Sequence, residues 1–164
     1  MAAQISPASP LFLRDAEIRR GVELLYFGYG HMTRSIDQLL AQQGLGRAHH
    51  RALYFIARQP NLSVSDLLGL LAITKQSLGR VLTELQARKL IEVRPGIRDR
   101  RQRLLSLSKA GFTLETELFG LLRERMSAAY ADAGQEAVTG FWTVLEGLIP
   151  EDERPRVFAL QRGD

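Results

Sequence analysis

The sequence contains no cysteine among its 164 residues, and this absence excludes several kinds of protein. A disulfide scaffold, a thiolate zinc site, a thiol nucleophile and a thiol-based redox sensor all require cysteine. Metal ligands are scarce as well, because the three histidines have no His-x3-His spacing. The sequence therefore predicts neither a bound metal nor another cofactor.

Long hydrophobic runs and targeting segments are also missing. No run of about 18 apolar residues occurs, so neither a membrane span nor a membrane partner is predicted. The first residues, MAAQISPASP, lack the charged start and the apolar stretch of a signal peptide. Pro7 and Pro10 favour a flexible lead-in over residues 1–10. A cytoplasmic location is the default expectation.

The basic residues are mostly arginine and are distributed unevenly along the chain. Nineteen of the 22 are arginine, which favours planar contacts with several donors over point charges. The net charge of +4 conceals a segment, residues 47–109, with thirteen basic and four acidic residues, whereas the remainder carries nine basic and fourteen acidic residues. A basic middle between acidic ends indicates contact with a polyanion, with a merely solvated charged surface as the alternative.

The first long segment, from about Leu11 to Gln43, is predicted to form a helix with a heptad seam, because its apolar residues are spaced by alternate steps of four and three. A seam of this kind packs one helix along another. The glycines of Gly44-Leu45-Gly46 are expected to end the helix. The seam comprises Ile18, Val22, Leu25, Tyr29, Met32, Ile36 and Leu39.

Three short helices are predicted in the basic middle. The first covers about His49–Gln59 and is followed by two successive helices with N-cap candidates Ser63 and Thr74. Asp66 stands three residues after Ser63, which resembles a capping box, so its expected role is structural. The helix that follows Thr74 is expected to extend over Lys75–Lys89.

A hairpin is predicted after these helices, because the apolar period changes to alternation over residues 91–94 and 103–107. Between the two strands lie the Pro95-Gly96 turn signal and an arginine-rich tip. Two short helices joined by a tight turn and followed by a hairpin make a winged helix-turn-helix.

Two further helices are predicted beyond the hairpin. Ser108 is the N-cap candidate for a helix to about Ala133, and Gly134 separates it from a helix over Gln135–Leu148. The polar tail beyond Pro150 is expected to be loose. It holds three apolar residues that could dock, Val157, Phe158 and Leu160.

Polar residues at two places in this winged domain suit the two grooves of DNA. At the start of the second helix of the helix-turn-helix, side chains that can reach the major groove are Lys75, Gln76, Ser77 and Arg80. The hairpin tip carries Arg98, Arg100 and Arg101, whose guanidinium groups suit the narrow minor groove, with a merely solvated hairpin as the alternative. Ser63 is a candidate for a phosphate contact besides its capping role.

The segment from Ile73 to Gly111, ITKQSLGRVLTELQARKLIEVRPGIRDRRQRLLSLSKAG, resembles the MarR-type transcriptional regulators. Arg98-Asp99-Arg100-Arg101 looks like the D-x-R wing motif of that family, and LSLSKAG looks like its strand-into-helix segment. The resemblance implies a mainly α fold with a small β-hairpin wing, a winged helix-turn-helix with N- and C-terminal dimerisation helices. It divides the chain into the lead-in (1–10), an N-terminal dimerisation helix (11–46), the DNA-binding domain (47–109) and the C-terminal dimerisation helices with the tail (110–164).

The same resemblance implies a homodimer that binds double-stranded DNA at a pseudo-palindromic operator, one winged domain per half-site. Thr74 to Ser77 and Arg80 then fall in the recognition helix, and Asp99 braces the wing arginines, of which Arg100 or Arg101 enters the minor groove. The expected function is a sequence-specific transcriptional regulator, more often a repressor than an activator. An architectural DNA-binding protein with little sequence preference is the alternative, and nothing in the sequence supports an enzyme.

Members of the family often bind a small aromatic or anionic effector between the dimerisation helices and the winged domain. Aromatic side chains with a few cationic or titratable groups would suit an aromatic acid. Adjacent histidines point in different directions on a helix, so His49 and His50 cannot both face one site. The candidates are Tyr26, Tyr29, His31 and Arg34 on the first helix, and His49, His50 and Tyr54 on the second.

Overall fold

The computed structural model describes residues 10–161, and the chain divides between Arg34 and Ser35 into two compact units. The lead-in predicted for residues 1–10 lies outside the described residues except for Pro10. The described part contains a short 3₁₀ helix over Pro10–Leu13, seven α-helices and three strands. They are α1 (Asp15–Gln42), α2 (Arg47–Arg58), β1 (Leu62–Ser63), α3 (Val64–Leu71), α4 (Lys75–Ala87), β2 (Ile91–Pro95), β3 (Arg103–Leu107), α5 (Lys109–Ala133), α6 (Gln135–Gly147) and α7 (Arg154–Gln161).

Within the first unit, the predicted seam of α1 lies on the surface. Ile18, Val22, Leu25 and Tyr29 are all exposed, although each of them is large and apolar. Farther along the same helix, in the second unit, Ile36 is only 1% exposed. The N-terminal half of the seam therefore remains open to a partner.

The second unit is built around one apolar core. Its most deeply buried side chains come from α2, α3, α4 and β3, where Leu53, Leu67, Leu85 and Leu105 have no accessible surface. Burying each such side chain stabilises the fold by roughly 1.5–3 kcal/mol. The apolar stripes of three short helices thus meet on one face of the sheet.

The sheet is antiparallel, in the order β1-β3-β2. The predicted hairpin is confirmed, since β2 pairs with β3 from Ile91 opposite Leu107 to Pro95 opposite Arg103. The strand β1 is an addition to the predicted elements, because two residues are too few to show a period. The structure confirms the predicted fold class, a mainly α chain with a small winged sheet.

Hydroxyl caps begin three of the helices, as predicted. Ser63, Thr74 and Ser108 accept a hydrogen bond from the backbone N–H three residues later, at 3.1, 3.1 and 3.0 Å. Each bond satisfies one of the unpaired amides of a first helical turn. Gly134 separates α5 from α6 with φ +80°, a conformation that favours glycine.

The tail predicted to be loose forms a helix instead, α7. The guanidinium Nη2 of Arg58 in α2 donates to the carbonyl of Leu160 at 2.6 Å. A Cβ on Gly69 of α3 would collide with the guanidinium of Arg156 in α7, so the two helices lie against each other there. The expectation of a loose tail was wrong because these partners are remote in the sequence.

Within residues 10–161, no helix combines the length and the apolar composition needed to cross a membrane.

Candidate nucleic-acid interface

The start of α4 is an exposed polar surface. Its buried stripe, Leu78, Val81, Leu82 and Leu85, faces the core. All four predicted groove-facing residues, Lys75, Gln76, Ser77 and Arg80, are exposed. Because α4 has its partners on one side only, its N-terminal turn is open to a ligand on the other.

Two hydroxyls at this end of α4 are already engaged. Thr74 Oγ1 accepts from the Ser77 backbone N–H at 3.1 Å and donates to Ser77 Oγ at 2.9 Å. Both side chains therefore order the first turn. Lys75, Gln76 and Arg80 are left as the longer side chains that can extend away from the helix.

The start of α3 has a similar local network. The Ser63 hydroxyl donates to Asp66 Oδ2 at 2.6 Å while it accepts from the Asp66 backbone N–H. This reciprocal pair gives Asp66 the structural role predicted for it. A phosphate contact by Ser63 would compete with this carboxylate.

The wing tip between β2 and β3 is folded back on its own backbone. Gly96 N–H donates to the Gln102 carbonyl at 2.9 Å, and Gln102 N–H donates to the Asp99 carbonyl at 3.1 Å. Asp99 Oδ1 accepts from the Arg101 backbone N–H at 2.9 Å, so its carboxylate orders the main chain of the wing. A Cβ on Gly96 would come within 2.5 Å of the Asp99 carbonyl oxygen, which is why this turn needs glycine.

The guanidinium groups of the wing point to solvent. Arg98, Arg100 and Arg101 are exposed, and within residues 10–161 none of the three forms an ion pair. Three arginines outweigh the single carboxylate of Asp99 in this loop, and the resulting net positive charge attracts a polyanion. The wing is therefore a cationic surface built on an ordered loop.

Sequence reasoning missed one residue of this tip, Ile97, whose side chain is 97% exposed. The sequence does contain a signal for this residue, because Ile97 directly follows the Pro95-Gly96 turn and precedes the arginines. A residue in a turn no longer belongs to the alternating pattern of a strand, so an apolar residue there is not expected in the core.

The effector candidates on α1 are open to solvent. Tyr26 is 75% exposed, and Tyr29, His31 and Arg34 are also exposed. Aromatic surface of this extent on one helix is typical of an interface rather than of an enclosed small-molecule site.

On α2, the two adjacent histidines have different surroundings. His49 Nδ1 accepts from the Gly46 backbone N–H at 3.0 Å, and its Nε2 lies 2.7 Å from Glu84 Oε2. Since Nδ1 accepts, Nε2 carries the proton and donates to the carboxylate. Both ring nitrogens of His49 are thus occupied: Nδ1 caps the start of α2, and Nε2 joins α2 to α4.

His50 lies instead beside aromatic rings. Its ring centroid is 6.4 Å from that of Tyr54, which is in turn 6.2 Å from Phe119 of α5. Burial lowers the pKa of His50, the Arg51 charge lowers it further, and Asp37 opposes both. Its Nε2 is buried and has no hydrogen-bond partner among the described residues, which makes His50 the histidine with unused polar capacity.

Glu115 of α5 is a buried acid in the same compact unit as His50, 9% exposed. Burial raises the pKa of its carboxyl, and the charge of Arg58 acts in the opposite direction. In the described part of the chain, no three His, Asp or Glu side chains are grouped so that they could hold a metal ion.

Comparison with known proteins identifies the family of this chain. Residues 43–102 match the model of the MarR family. The HTH-type transcriptional regulator PetP of Rhodobacter capsulatus is 48% identical over 139 residues, which cover 85% of this chain and 84% of PetP.

Solved structures agree on the fold at lower identity. The Escherichia coli regulator MarR, a mutant complexed with operator DNA, matches with a TM-score of 0.65 at 20% identity, over 87% of this chain and all of that one. A Bordetella bronchiseptica BpsR structure, which concerns regulation of its DNA binding by 6-hydroxynicotinic acid, matches with a TM-score of 0.62 at 22% identity, over 79% of this chain and 98% of that one. At these identities the likeness is one of fold.

Proposed function

Because this chain belongs to the MarR family of transcriptional regulators, we propose that it represses transcription by binding a pseudo-palindromic operator as a homodimer. Regulators of this family normally act as DNA-binding proteins and not as enzymes. The observation that carries the proposal is the exposed polar start of α4 in the same domain as the unpaired arginines of the wing. The surrounding segment, residues 47–109, has an excess of nine positive charges.

We infer that α4 enters the major groove. Gln76 can form a bidentate hydrogen bond with an adenine, and Arg80 or Lys75 can bind guanine or phosphate. Thr74 and Ser77 order the first turn, whose backbone amides favour a phosphate. Ser63 at the start of α3 supplies a second position close to the sugar-phosphate backbone.

The wing is assigned to the minor groove. Arg100 or Arg101 inserts into the groove, and Arg98 contacts the phosphates along its edge. Asp99 holds the wing main chain through the Arg101 amide, so the loop needs little further ordering on binding. This division gives α4 the direct base contacts and the wing a preference for groove shape.

A homodimer would cover the exposed apolar surface. Within the first unit the open positions include the seam of α1 and its neighbours Leu24 and Phe27. Within the second unit α6 exposes Phe141, Trp142 and Val144. Several large apolar side chains exposed on the same helices favour a protein interface. In a two-fold symmetric dimer, each chain would present its winged domain to one half-site.

The test is DNA binding at the promoter of the protein's own gene. A footprint that random-sequence competitor DNA fails to remove is the expected result. Equal displacement by random DNA would contradict sequence-specific regulation and favour an architectural DNA-binding protein. Sedimentation of the complex should give two chains per operator.

We also propose that a small aromatic acid releases the protein from DNA. The supporting features lie on α2: His50, whose buried Nε2 has no hydrogen-bond partner among the described residues, and the neighbouring Tyr54. Because DNA binding by BpsR is regulated by 6-hydroxynicotinic acid, this compound and benzoic acid are suitable probes. Retention of the operator complex at saturating probe, with no thermal shift, would contradict this class of effector.

A further inference from the structure

The most exposed large apolar side chain of the described residues lies at the centre of the cationic wing. Ile97 is 97% exposed, more than any aromatic residue of α1. An isoleucine in this position contributes nothing to the core. Burial of this side chain against a partner would remove apolar surface from water and so contribute favourably to the free energy of binding.

The loop that carries Ile97 is closed by backbone hydrogen bonds. Pro95 restricts the backbone before the turn, and Gly96 is packed so tightly against the Asp99 carbonyl that a Cβ would not fit. The backbone bonds of Gly96 and Gln102 close the loop on either side of Ile97. The backbone that carries Ile97 is therefore ordered before binding, so that binding would cost little backbone conformational entropy.

The neighbours of Ile97 indicate what kind of surface it meets. Arg98, Arg100 and Arg101 follow it in the same loop and carry positive charge that no ion pair in residues 10–161 neutralises. A suitable partner must therefore be strongly anionic and also present an apolar surface between its charges. The minor groove of DNA does so, because sugar rings form its walls and phosphates line its edges, and apolar side chains are known to enter it.

We propose that Ile97 packs against the sugar walls of the minor groove beside the arginine that inserts there, while the other wing arginines bind the flanking phosphates, an inference that rests on the proposed DNA-binding function. Ile97 is then a specificity-determining residue. A side chain between the two walls also faces the groove floor, and Ile97 therefore requires a floor without the guanine 2-amino group, which projects into the minor groove only at G·C pairs.

The first experiment compares operator affinity and its salt dependence for wild type, Ile97→Val and Ile97→Ala. Ile97→Ala should bind about tenfold more weakly, because most of the apolar surface that becomes buried on binding is removed. The slope of log K against log salt should stay the same, because every phosphate contact remains. Ile97→Val should keep most of the affinity, and both variants should unfold at the wild-type temperature, because the Ile97 side chain is almost fully exposed in the fold.

The second experiment changes the groove instead of the protein. Inosine·C pairs present the minor groove of A·T pairs, whereas G·C pairs add the 2-amino group. Wild type should bind wing-site A·T and inosine·C operators equally well and the G·C operator about tenfold more weakly. Ile97→Ala should lose most of this discrimination.

The outcomes separate the inference from the function on which it rests. If the wild-type protein binds no operator, the proposed function fails. If wild type binds but Ile97→Ala shows equal affinity and equal discrimination, the proposed function stands and the inference is overturned. A loss of affinity with a flatter salt slope would also overturn it, because the substitution would then have displaced the arginines.

Discussion

At the scale of single residues, we propose Gln76 as the side chain that recognises a base. It is exposed in the first turn of α4, and within residues 10–161 its side chain makes no hydrogen bond. Gln76→Ala should relax the base preference at one operator position, with a loss of about 1–3 kcal/mol for the preferred base pair. A panel of single-base operator variants measures this.

The control is Gln86→Ala, at the exposed far end of the same helix, which should leave the preference intact. Equal weakening on every operator variant would instead make Gln76 a phosphate contact.

The wing arginines give a second prediction at this scale. Arg98→Ala, Arg100→Ala or Arg101→Ala should weaken binding and reduce the salt slope by about one unit for each phosphate that the variant no longer binds. Arg125→Ala, an exposed arginine of α5, provides a control of the same charge change. If all three wing variants kept the wild-type affinity and slope, the wing would have no contact with DNA.

His50 gives a prediction about pH. Burial lowers the pKa of His50 in the folded state, whereas in the unfolded chain the pKa of this side chain is near its ordinary value of 6.5. The imidazole is therefore protonated more readily in the unfolded state than in the folded state. The unfolded state then binds more protons as the pH falls below that value, and the free energy of unfolding decreases. Denaturation between pH 8 and 5 should show a smaller decrease for His50→Gln than for wild type.

His31→Gln, which removes an exposed histidine, is the control and should keep the wild-type dependence. Superimposable curves for wild type and His50→Gln would mean that His50 does not carry the effect.

At the scale of the element, α7 depends on contacts with the winged domain. Arg58→Ala removes the guanidinium that donates to the Leu160 carbonyl, and a hydrogen bond to a charged group contributes about 1.5–3 kcal/mol. We expect hydrogen exchange of the amides over Arg154–Gln161 to accelerate while exchange in α4 stays slow. Unchanged protection of α7 would show that its apolar residues hold it without Arg58.

At the scale of the whole molecule, the proposed dimer depends on apolar residues that the single chain leaves open. Leu25→Arg or Met32→Arg places a charge in the seam of α1, where burial without a partner would be costly. Sedimentation should then show a smaller species, and operator affinity should fall with it. Glu23→Arg, exposed on α1 outside the seam, should remain dimeric. An intact dimer for both seam variants would place the interface elsewhere.

Local signals predicted much of this fold. Ser63, Thr74 and Ser108 could be recognised as helix caps because a cap bonds to a residue only three positions away. The hairpin followed from the change of period and from Pro95-Gly96, which act over a few residues. The exposure of the α4 candidates also followed from a local pattern, because the apolar stripe of the helix determines which side faces away from the core. The wing candidates are exposed because they lie in the loop between two strands.

Other features depend on residues far apart in the sequence. The division of roles between His49 and His50 needs Glu84 of α4 and the ring of Tyr54, and α7 needs Arg58. Ile97 is exposed because it lies in the loop between the end of β2 and the start of β3, outside the paired strands.

The sequence by itself determined the order of the elements, their caps and the cationic segment, because these depend on neighbouring residues. Only the tertiary structure decided which apolar residues are buried and which histidine has a ring nitrogen without a hydrogen bond. It also decided which apolar side chain is most exposed at the tip of the wing. Packing between distant segments controls burial, and burial controls both free energy and pKa.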